Sequence, residues 1–224
     1  VGGDGCWAAI VLVVLDPVTQ TLRDLRFLQR VERLDRIYSV QFHPMGNQVA
    51  LAGYDGKIAI ASLVNVLSGN HQMREIPRFG LIYCMDWNPS GKHLAVGGSD
   101  KVCAIYKEDG SLIHEAPRKA AIQALQWNPD GTLLAVGDRE VAIIDTKNKG
   151  YPIKCEIGNL PDEASPTNSK YRIEALCWSP DGSFLAIGGS DGICLIVEAK
   201  GFALVHEVHR TSRILSLAWG QRYL

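Results

Sequence analysis

A short pattern that returns about every forty residues is the feature that most constrains this chain. Each copy begins with isoleucine, has an aromatic residue five positions later and leads into a turn that contains proline and glycine. Full copies occupy residues 37–46, 82–91, 122–131 and 173–182, and a shortened copy occupies 214–219. The aromatic residues are 45, 40, 51 and 41 positions apart. Such a chain folds as a series of similar units, and because sustained 3.6-residue periodicity is missing, the units are not helical.

Each unit contains four short apolar stretches separated by turns. The recurring pattern is the first strand, and it ends in a turn where proline sets φ and glycine accepts a positive φ. Second strands are predicted at 48–52, 94–97, 133–137 and 184–188, and third strands at 58–62, 102–106, 141–145 and 193–197. Short polar turns lead to fourth strands such as 111–115 and 203–208. Apolar residues on both sides of these strands suit sheets that pack face to face, which is typical of propeller blades.

The hairpins and loops carry a family resemblance. The aromatic-x-Pro-x-Gly turns and the Gly-Gly-Ser-Asp segments at 97–100 and 188–191 resemble the WD-repeat (WD40) β-propeller family, over essentially all of residues 1–224. The resemblance implies an all-β chain, a β-propeller of four-stranded antiparallel blades with four full blades and a partial blade at each end. The Trp-Asp pair that names the family is degenerate and the Gly-His is absent, so we expect its buried hydrogen-bond network to be incomplete. Asp55, Asp100 and Asp191 remain, and we expect them to close their own loops.

The repeats define the expected domain organisation as one propeller domain over residues 1–224. The blades are predicted at 31–77, 78–117, 118–157 and 171–208, with the end of a preceding blade at 1–30 and the start of a next blade at 209–224. Residues 158–170 form an insertion loop, either disordered or functional. The chain starts at Val1, so we expect a fragment of a longer protein. An open arc of blades would expose apolar residues at 10–15 and 214–219 and would self-associate.

Composition excludes several classes of protein. Apolar residues make up 46% of the chain and charged residues 21%, a composition that is not typical of a disordered protein. The formal net charge of −1 shows no global excess of basic residues. No apolar run is long enough to span a membrane. Six cysteines occur without a C-x-x-C pair, and all but Cys6 lie in strand-like runs, so we expect buried reduced thiols and an intracellular location, cytoplasmic or nuclear.

Residues for catalysis are not evident. The six histidines do not suggest a metal site, and no phosphate loop or nucleophile elbow is present. The 179–183 segment has the wrong spacing for the Asp-box of sialidase-type propellers. We therefore expect no catalytic residue, no metal, no cofactor and no small-molecule substrate. The aromatic residues of the repeat are expected in the core: Phe42, Trp87, Trp127, Trp178 and Trp219.

Basic residues gather where the fourth strand of one blade leads to the first strand of the next. Eleven of the 23 lysines and arginines lie at these connections, which the resemblance places on the top face of the propeller. The candidate basic rim consists of Arg36, Arg78, Arg118, Lys119, Lys170, Arg172, Arg210 and Arg213. The rim is either a set of ordinary exposed charges or a docking surface for an acidic or phosphorylated segment. We expect Arg118 and Lys119 to be exposed and replaceable by alanine without loss of folding.

The family resemblance also implies an expectation about function. It favours a non-catalytic protein–protein interaction scaffold that presents its top face to partner proteins. An alternative is a nucleic-acid or phospho-ligand reader that uses the same basic rim, although a net charge of −1 does not favour nucleic acid. A propeller hydrolase is the least supported of the three. The sequence does not name the partner.

Overall fold

The computed structural model describes residues 6–15, 22–33, 35–68, 72–158 and 171–220, and for residues 6–33 it describes the backbone alone. The chain divides into two compact units, residues 1–82 and 83–224. The insertion expected at 158–170 lies outside the described residues except for Gly158.

The first unit contains a hairpin, a four-stranded sheet and a short helix. The hairpin pairs β1 (Cys6–Leu15) with β2 (Leu22–Arg33) in antiparallel fashion. The sheet has the order β3 (Ile37–Phe42), β4 (Gln48–Gly53), β5 (Lys57–Ser62) and β6 (Met73–Pro77), all antiparallel. The helix α1 (Leu63–Leu67) lies where the sequence predicted a polar turn. Its first residue, Leu63, packs against the apolar cluster of this sheet.

The second unit contains the remaining sheets, each four-stranded and wound in sequence order. The first is β7 (Ile82–Trp87), β8 (His93–Gly98), β9 (Val102–Lys107) and β10 (Leu112–Pro117). The second is β11 (Ala124–Trp127), β12 (Leu133–Gly137), β13 (Val141–Asp145) and β14 (Ile153–Ile157). The third is β15 (Ile173–Trp178), β16 (Phe184–Gly189), β17 (Ile193–Glu198) and β18 (Leu204–His209).

These sheets confirm the all-β class with four-stranded antiparallel blades. The strands predicted at 133–137 and 141–145 are β12 and β13, and most other ends move by one or two residues. The fifth copy of the repeat was expected to start a strand, and this was wrong for the described residues, because 213–220 forms no ladder there. The segment still runs beside the last sheet, since the Ile214 N–H donates to Gly189 O at 3.0 Å.

The core of the second unit lies between neighbouring sheets. The middle strands are buried on both faces, as in β8, where Leu94, Ala95 and Val96 have no exposed surface. One cluster joins Ala95 and Ile105 to the sheet that contains Trp127, and another joins that sheet to the one that contains Trp178. The sheet of β11–β14 is therefore held by apolar contact on both sides.

The repeated tryptophans connect one blade to the preceding one. The indole N–H of Trp127 donates to Asp86 O at 3.2 Å, that of Trp178 to Gln126 O at 3.2 Å, and that of Trp219 to Cys177 O at 2.8 Å. Their expected core position is confirmed for Trp87, Trp127 and Trp178, which are 3–5% exposed. It is wrong for Phe42, which is 51% exposed, because no four-stranded sheet precedes β3 among the described residues. Trp219 is only half-buried, so the prediction is not met there either.

Two further predictions concern the aspartates that close loops and the burial of the cysteines. Asp55, Asp100 and Asp191 each accept a hydrogen bond from the backbone N–H two residues further on, at 3.2, 3.2 and 2.9 Å, so these loop closures are confirmed. None of the five described cysteines forms a disulfide bond. Only Cys103 is fully buried, and the others are half-buried, so the expectation of buried thiols holds for one of them.

Candidate docking surface

The connections that carry the basic residues lie at one edge of each sheet, which we call the upper edge. Because the strands alternate in direction, the loop between second and third strands and the connection after the fourth strand come together there. Backbone hydrogen bonds join the two: Arg78 N–H donates to Gly56 O at 2.8 Å, Arg118 N–H to Lys101 O at 2.7 Å, and Arg210 N–H to Gly192 O at 2.8 Å.

Most of the predicted rim residues are placed at this edge. In the first unit Arg36 is exposed, and Arg78 is half-buried. In the second unit Arg172 and Arg210 are exposed, and the Arg213 guanidinium lies 3.6 Å from Glu174 Oε1. Lys170 lies outside the described residues. The rim as a docking surface remains a prediction.

Arg118 requires a correction. It was expected to be exposed, but its side chain is only 2% exposed, because it spans the gap between two sheets. Its Nη1 donates to Glu156 Oε1 at 2.7 Å and its Nη2 to Asp138 Oδ1 at 3.3 Å, while Nε is buried without a hydrogen-bond partner. Burial opposes its charge, but the hydrogen bond with Glu156 and the charge of Asp138 raise the pKa of Arg118 overall. The residue is structural, and replacing it is not neutral.

Asp138 completes this buried ion pair. Its Oδ2 accepts from the backbone N–H groups of Lys119 and Ala120 at 3.0 and 3.2 Å, and its Oδ1 accepts from Glu140 N–H at 3.0 Å. Burial opposes the charged carboxylate, yet these donors and the Arg118 charge lower the pKa of Asp138. Asp138 therefore fixes the backbone of the connection that carries Lys119.

Lys119 is exposed, as expected, with 58% of its side chain accessible. Its Nζ lies 2.7 Å from Glu140 Oε2 and 3.5 Å from Glu156 Oε2. The hydrogen bond with Glu140 raises the pKa of Lys119, so the ammonium remains charged at neutral pH.

A depression of about 270 Å³ lies beside Lys119 at the upper edge of the second unit. It is lined by Tyr83, Lys101, Lys119, Ala120, Ala121, Gln123, Arg139, Tyr171 and Arg172. Four of these residues are cations and none is a carboxylate. They come from all three sheets of the unit, so the depression is a site that only the folded chain assembles.

Lys101 stands out in this lining because of its backbone. Its φ is +63°, in the left-handed region, whereas the corresponding loop positions after Asp55 and Asp191 are Gly56 and Gly192, with φ of +67° and +83°. A side chain there costs about 1–2 kcal/mol relative to glycine. The fold thus carries a lysine at a position that glycine fits better, which makes Lys101 a candidate functional residue.

Sequence reasoning missed half of the cations in the depression. It predicted Lys119 and Arg172 from the connections after fourth strands, but not Lys101 and Arg139, which lie in loops between second and third strands. The predicted antiparallel order of strands already implied that these loops share the upper edge. The wall residue Tyr171 was also missed; burial, and then the charge of Asp191, raise the pKa of Tyr171, so its hydroxyl stays protonated.

Two other kinds of site were sought in the described part of the chain. Among those residues, no three histidine, cysteine or acidic side chains are grouped as metal ligands. No helix there has the length and apolar character needed to cross a membrane.

Comparisons with known proteins agree with the geometry of the sheets. Residues 162–222 match the family described as the anaphase-promoting complex subunit 4 WD40 domain. Residues 54–150 match the family of the eukaryotic translation initiation factor eIF2A. The crystal structure of Chaetomium thermophilum Sqt1 bound to the N-terminus of the ribosomal protein L10 has a TM-score of 0.74 at 19% identity, over 94% of this chain and 59% of that chain.

The chain has the fold of the WD40-repeat β-propeller proteins. A second structure of Chaetomium thermophilum Sqt1 has the same TM-score of 0.74 at 18% identity, over 94% of this chain and 56% of that one. The chain thus spans less than two thirds of the length of these solved structures. A search of curated proteins found no significant match.

One difference between the repeats of this chain matters for the site. Asp138 follows Gly137 where the two sheets on either side have a second glycine, Gly98 and Gly189. The aspartate supplies the carboxylate that holds Arg118 and the backbone of Lys119. The substitution therefore positions one wall of the depression.

Proposed function

We propose that this protein is a non-catalytic interaction scaffold that binds an acidic segment of a partner protein at the basic depression of its second unit. The observation that carries the proposal is the lining itself, in which Lys101, Lys119, Arg139 and Arg172 converge without a carboxylate among them. Such a cluster produces a local positive potential even though the formal net charge of the chain is −1.

A protein segment suits the depression better than a nucleic acid. The acidic side chains of Glu140 and Glu156 flank Lys119, so the positive surface is local and is not a long strip for a phosphate backbone. The related Sqt1 fold is known bound to the N-terminus of the ribosomal protein L10, which supports a protein segment as the ligand class. The absence of disulfide bonds among the described cysteines supports an intracellular setting, cytoplasmic or nuclear, as part of the same proposal.

Fluorescence anisotropy of the full chain with a labelled glutamate-rich peptide tests the proposal. We expect binding that weakens as salt increases, and a loss of at least tenfold in affinity for the Arg139→Gln/Arg172→Gln double variant. Arg210→Gln is the matched control, because Arg210 is an exposed arginine of the upper edge outside the depression. No binding, or an equal loss in the control, contradicts the proposal.

A labelled single-stranded oligonucleotide provides the second arm of this experiment. We expect it to bind more weakly than the peptide. If the oligonucleotide binds more tightly and the double variant abolishes that binding, the site is a nucleic-acid reader and the proposed partner class is wrong.

A further inference from the structure

The four cations that line the depression come from four separate segments of the second unit. Lys101 comes from the β8–β9 loop, Lys119 from the connection after β10, Arg139 from the β12–β13 loop and Arg172 from the residues before β15. Ala120 and Ala121 contribute only methyl groups to the lining, so no long side chain of the chain's own fills the space from their positions. We expect a compact, multiply charged group in a depression of about 270 Å³ to interact with more of these cations at once than an extended acidic run does.

We propose that the depression binds the phosphoryl group of a phosphorylated side chain in the partner protein. This inference rests on the proposed docking function and names the group that the docking site recognises. A phosphoryl monoester carries close to two negative charges at neutral pH and three acceptor oxygens, and guanidinium groups bind such oxygens through paired N–H donors.

The walls of the depression are rich in hydrogen-bond donors. The phenols of Tyr83 and Tyr171 and the amide of Gln123 stand among the cations. Burial keeps the Tyr171 hydroxyl protonated by raising its pKa, so it remains a donor at neutral pH. No carboxylate is among the lining residues, and a bound anion competes only at Lys119 with the carboxylates of Glu140 and Glu156 described above.

The backbone of Lys101 is an independent observation that points to a ligand. The loop requires a left-handed conformation, which Gly56 and Gly192 adopt in the corresponding loops without strain. A lysine at this position lowers stability and brings an ammonium group into the lining. A purely structural loop has no use for that charge, whereas an anion-binding site does.

The test compares two labelled peptides of alternating glycine and serine, one with a single phosphoserine and one with glutamate in its place. With the full chain, we expect the phosphoserine peptide to bind at least ten times more tightly than the glutamate peptide. Its affinity is expected to rise between about pH 5 and pH 7, as the phosphoryl group gains its second charge.

Substitution of Lys101 separates binding from folding. Lys101→Gly is expected to raise the urea midpoint, because glycine accepts the positive φ, and at the same time to weaken phosphoserine-peptide binding about tenfold. Lys101→Arg keeps the charge and is expected to retain most of the affinity. Arg210→Gln again serves as the control and is expected to change neither quantity.

The outcomes distinguish this inference from the proposed function. If the glutamate and phosphoserine peptides bind equally well and Arg139→Gln/Arg172→Gln weakens both, acidic docking stands and the phosphoryl inference is wrong. If Lys101→Gly is more stable but binds normally, Lys101 takes no part and the inference is also overturned. If neither the glutamate-rich peptide nor the phosphoserine peptide binds to folded protein, the proposed function and the inference both fail.

Discussion

A single guanidinium, that of Arg118, joins two neighbouring sheets at the upper edge of the second unit. It contacts Asp138, whose side chain is completely buried, and Glu156, which is partly exposed. Charged groups taken out of water are stable only while they remain paired. Arg118 therefore matters for stability because its removal would leave the carboxylate of Asp138 buried without a countercharge.

We predict that Arg118→Met lowers the free energy of unfolding by about 3–5 kcal/mol, because the Asp138 charge stays buried without its cation. Urea-induced unfolding followed by tryptophan fluorescence measures the change. Lys119→Met is the matched control and is expected to have little effect, since exposed ion pairs contribute little to stability. Equal effects of the two substitutions would show that the buried pair is not important for stability.

Asp86 is a second acidic side chain between neighbouring sheets, half-buried and placed where the next sheet has a neutral side chain. Its Oδ2 accepts from the Trp127 backbone N–H at 2.8 Å, and in the next sheet the Gln126 amide oxygen accepts from Trp178 N–H at 2.7 Å. Burial raises the pKa of Asp86 to about 7, against the opposing effect of hydrogen bonds from the backbone of Trp127 and Trp87.

The pKa of Asp86 predicts a definite dependence of stability on pH. Between about pH 4 and pH 7 the folded chain holds a proton at Asp86 that the unfolded chain has released, so this group destabilises the fold increasingly as pH rises. Asp86→Asn keeps an acceptor oxygen and removes the charge. Its gain in unfolding free energy over the wild type is expected to be larger at pH 8 than at pH 5, and a gain independent of pH would contradict this assignment.

At the scale of the elements, glycines at the ends of second strands set how closely neighbouring sheets approach. A Cβ on Gly97, Gly137 or Gly188 would lie only 2.5–2.6 Å from the Cγ2 of the isoleucine that begins the next repeat. Those isoleucines are Ile122, Ile173 and Ile214. The contact recurs at each junction of the second unit, so the glycine and the isoleucine act as a matched pair.

We expect Gly137→Ala to lower the free energy of unfolding by about 1–3 kcal/mol, as overpacking of a close contact does. In the Gly137→Ala/Ile173→Ala double variant the 2.6 Å contact with Cγ2 is removed and only the 2.9 Å contact with the Cβ of residue 173 remains. The combined loss should therefore be smaller than the sum of the two single losses. Urea titrations of the three variants measure the coupling. Gly158→Ala is the control, because no atom lies within 4 Å of the added Cβ. If the losses of unfolding free energy in the two single variants add exactly in the double variant, Gly137 and Ile173 are not a matched pair.

At the scale of the whole molecule, apolar side chains are exposed on particular strands. In the first unit Tyr38, Val40 and Phe42 alternate along β3 and are 42%, 43% and 51% exposed. In the second unit all six residues of β18 are exposed, among them Leu204, Val205 and Val208. Apolar surface on strands favours association between molecules.

The protein is therefore expected to self-associate as its concentration increases, and light scattering measures this. Val40→Lys/Phe42→Lys should reduce the association by placing charges on the exposed stripe of β3. Phe79→Lys is the control, because Phe79 is 93% exposed but lies in a connection outside that stripe. A wild-type chain that stays monomeric over a wide concentration range would show that the exposed strands are not adhesive.

The sequence alone predicted the elements and their arrangement into sheets. Strands such as β12 and β13 depend on local features, namely apolar alternation and turn residues, which recur in every repeat. The loop closures by Asp55, Asp100 and Asp191 were predictable for the same reason, since each donor lies two residues from its acceptor. Position in the repeat was enough to predict these features.

The tertiary structure alone decided which charges form a site. Arg118 and Lys119 are neighbours in the chain, yet one is buried between two sheets and the other is exposed beside the depression. Lys101 and Arg139 are 38 positions apart and line the same space. Burial and convergence of side chains depend on how closely sheets pack, a distance set by contacts such as that of Gly137 with Ile173, and no local pattern in the sequence encodes it.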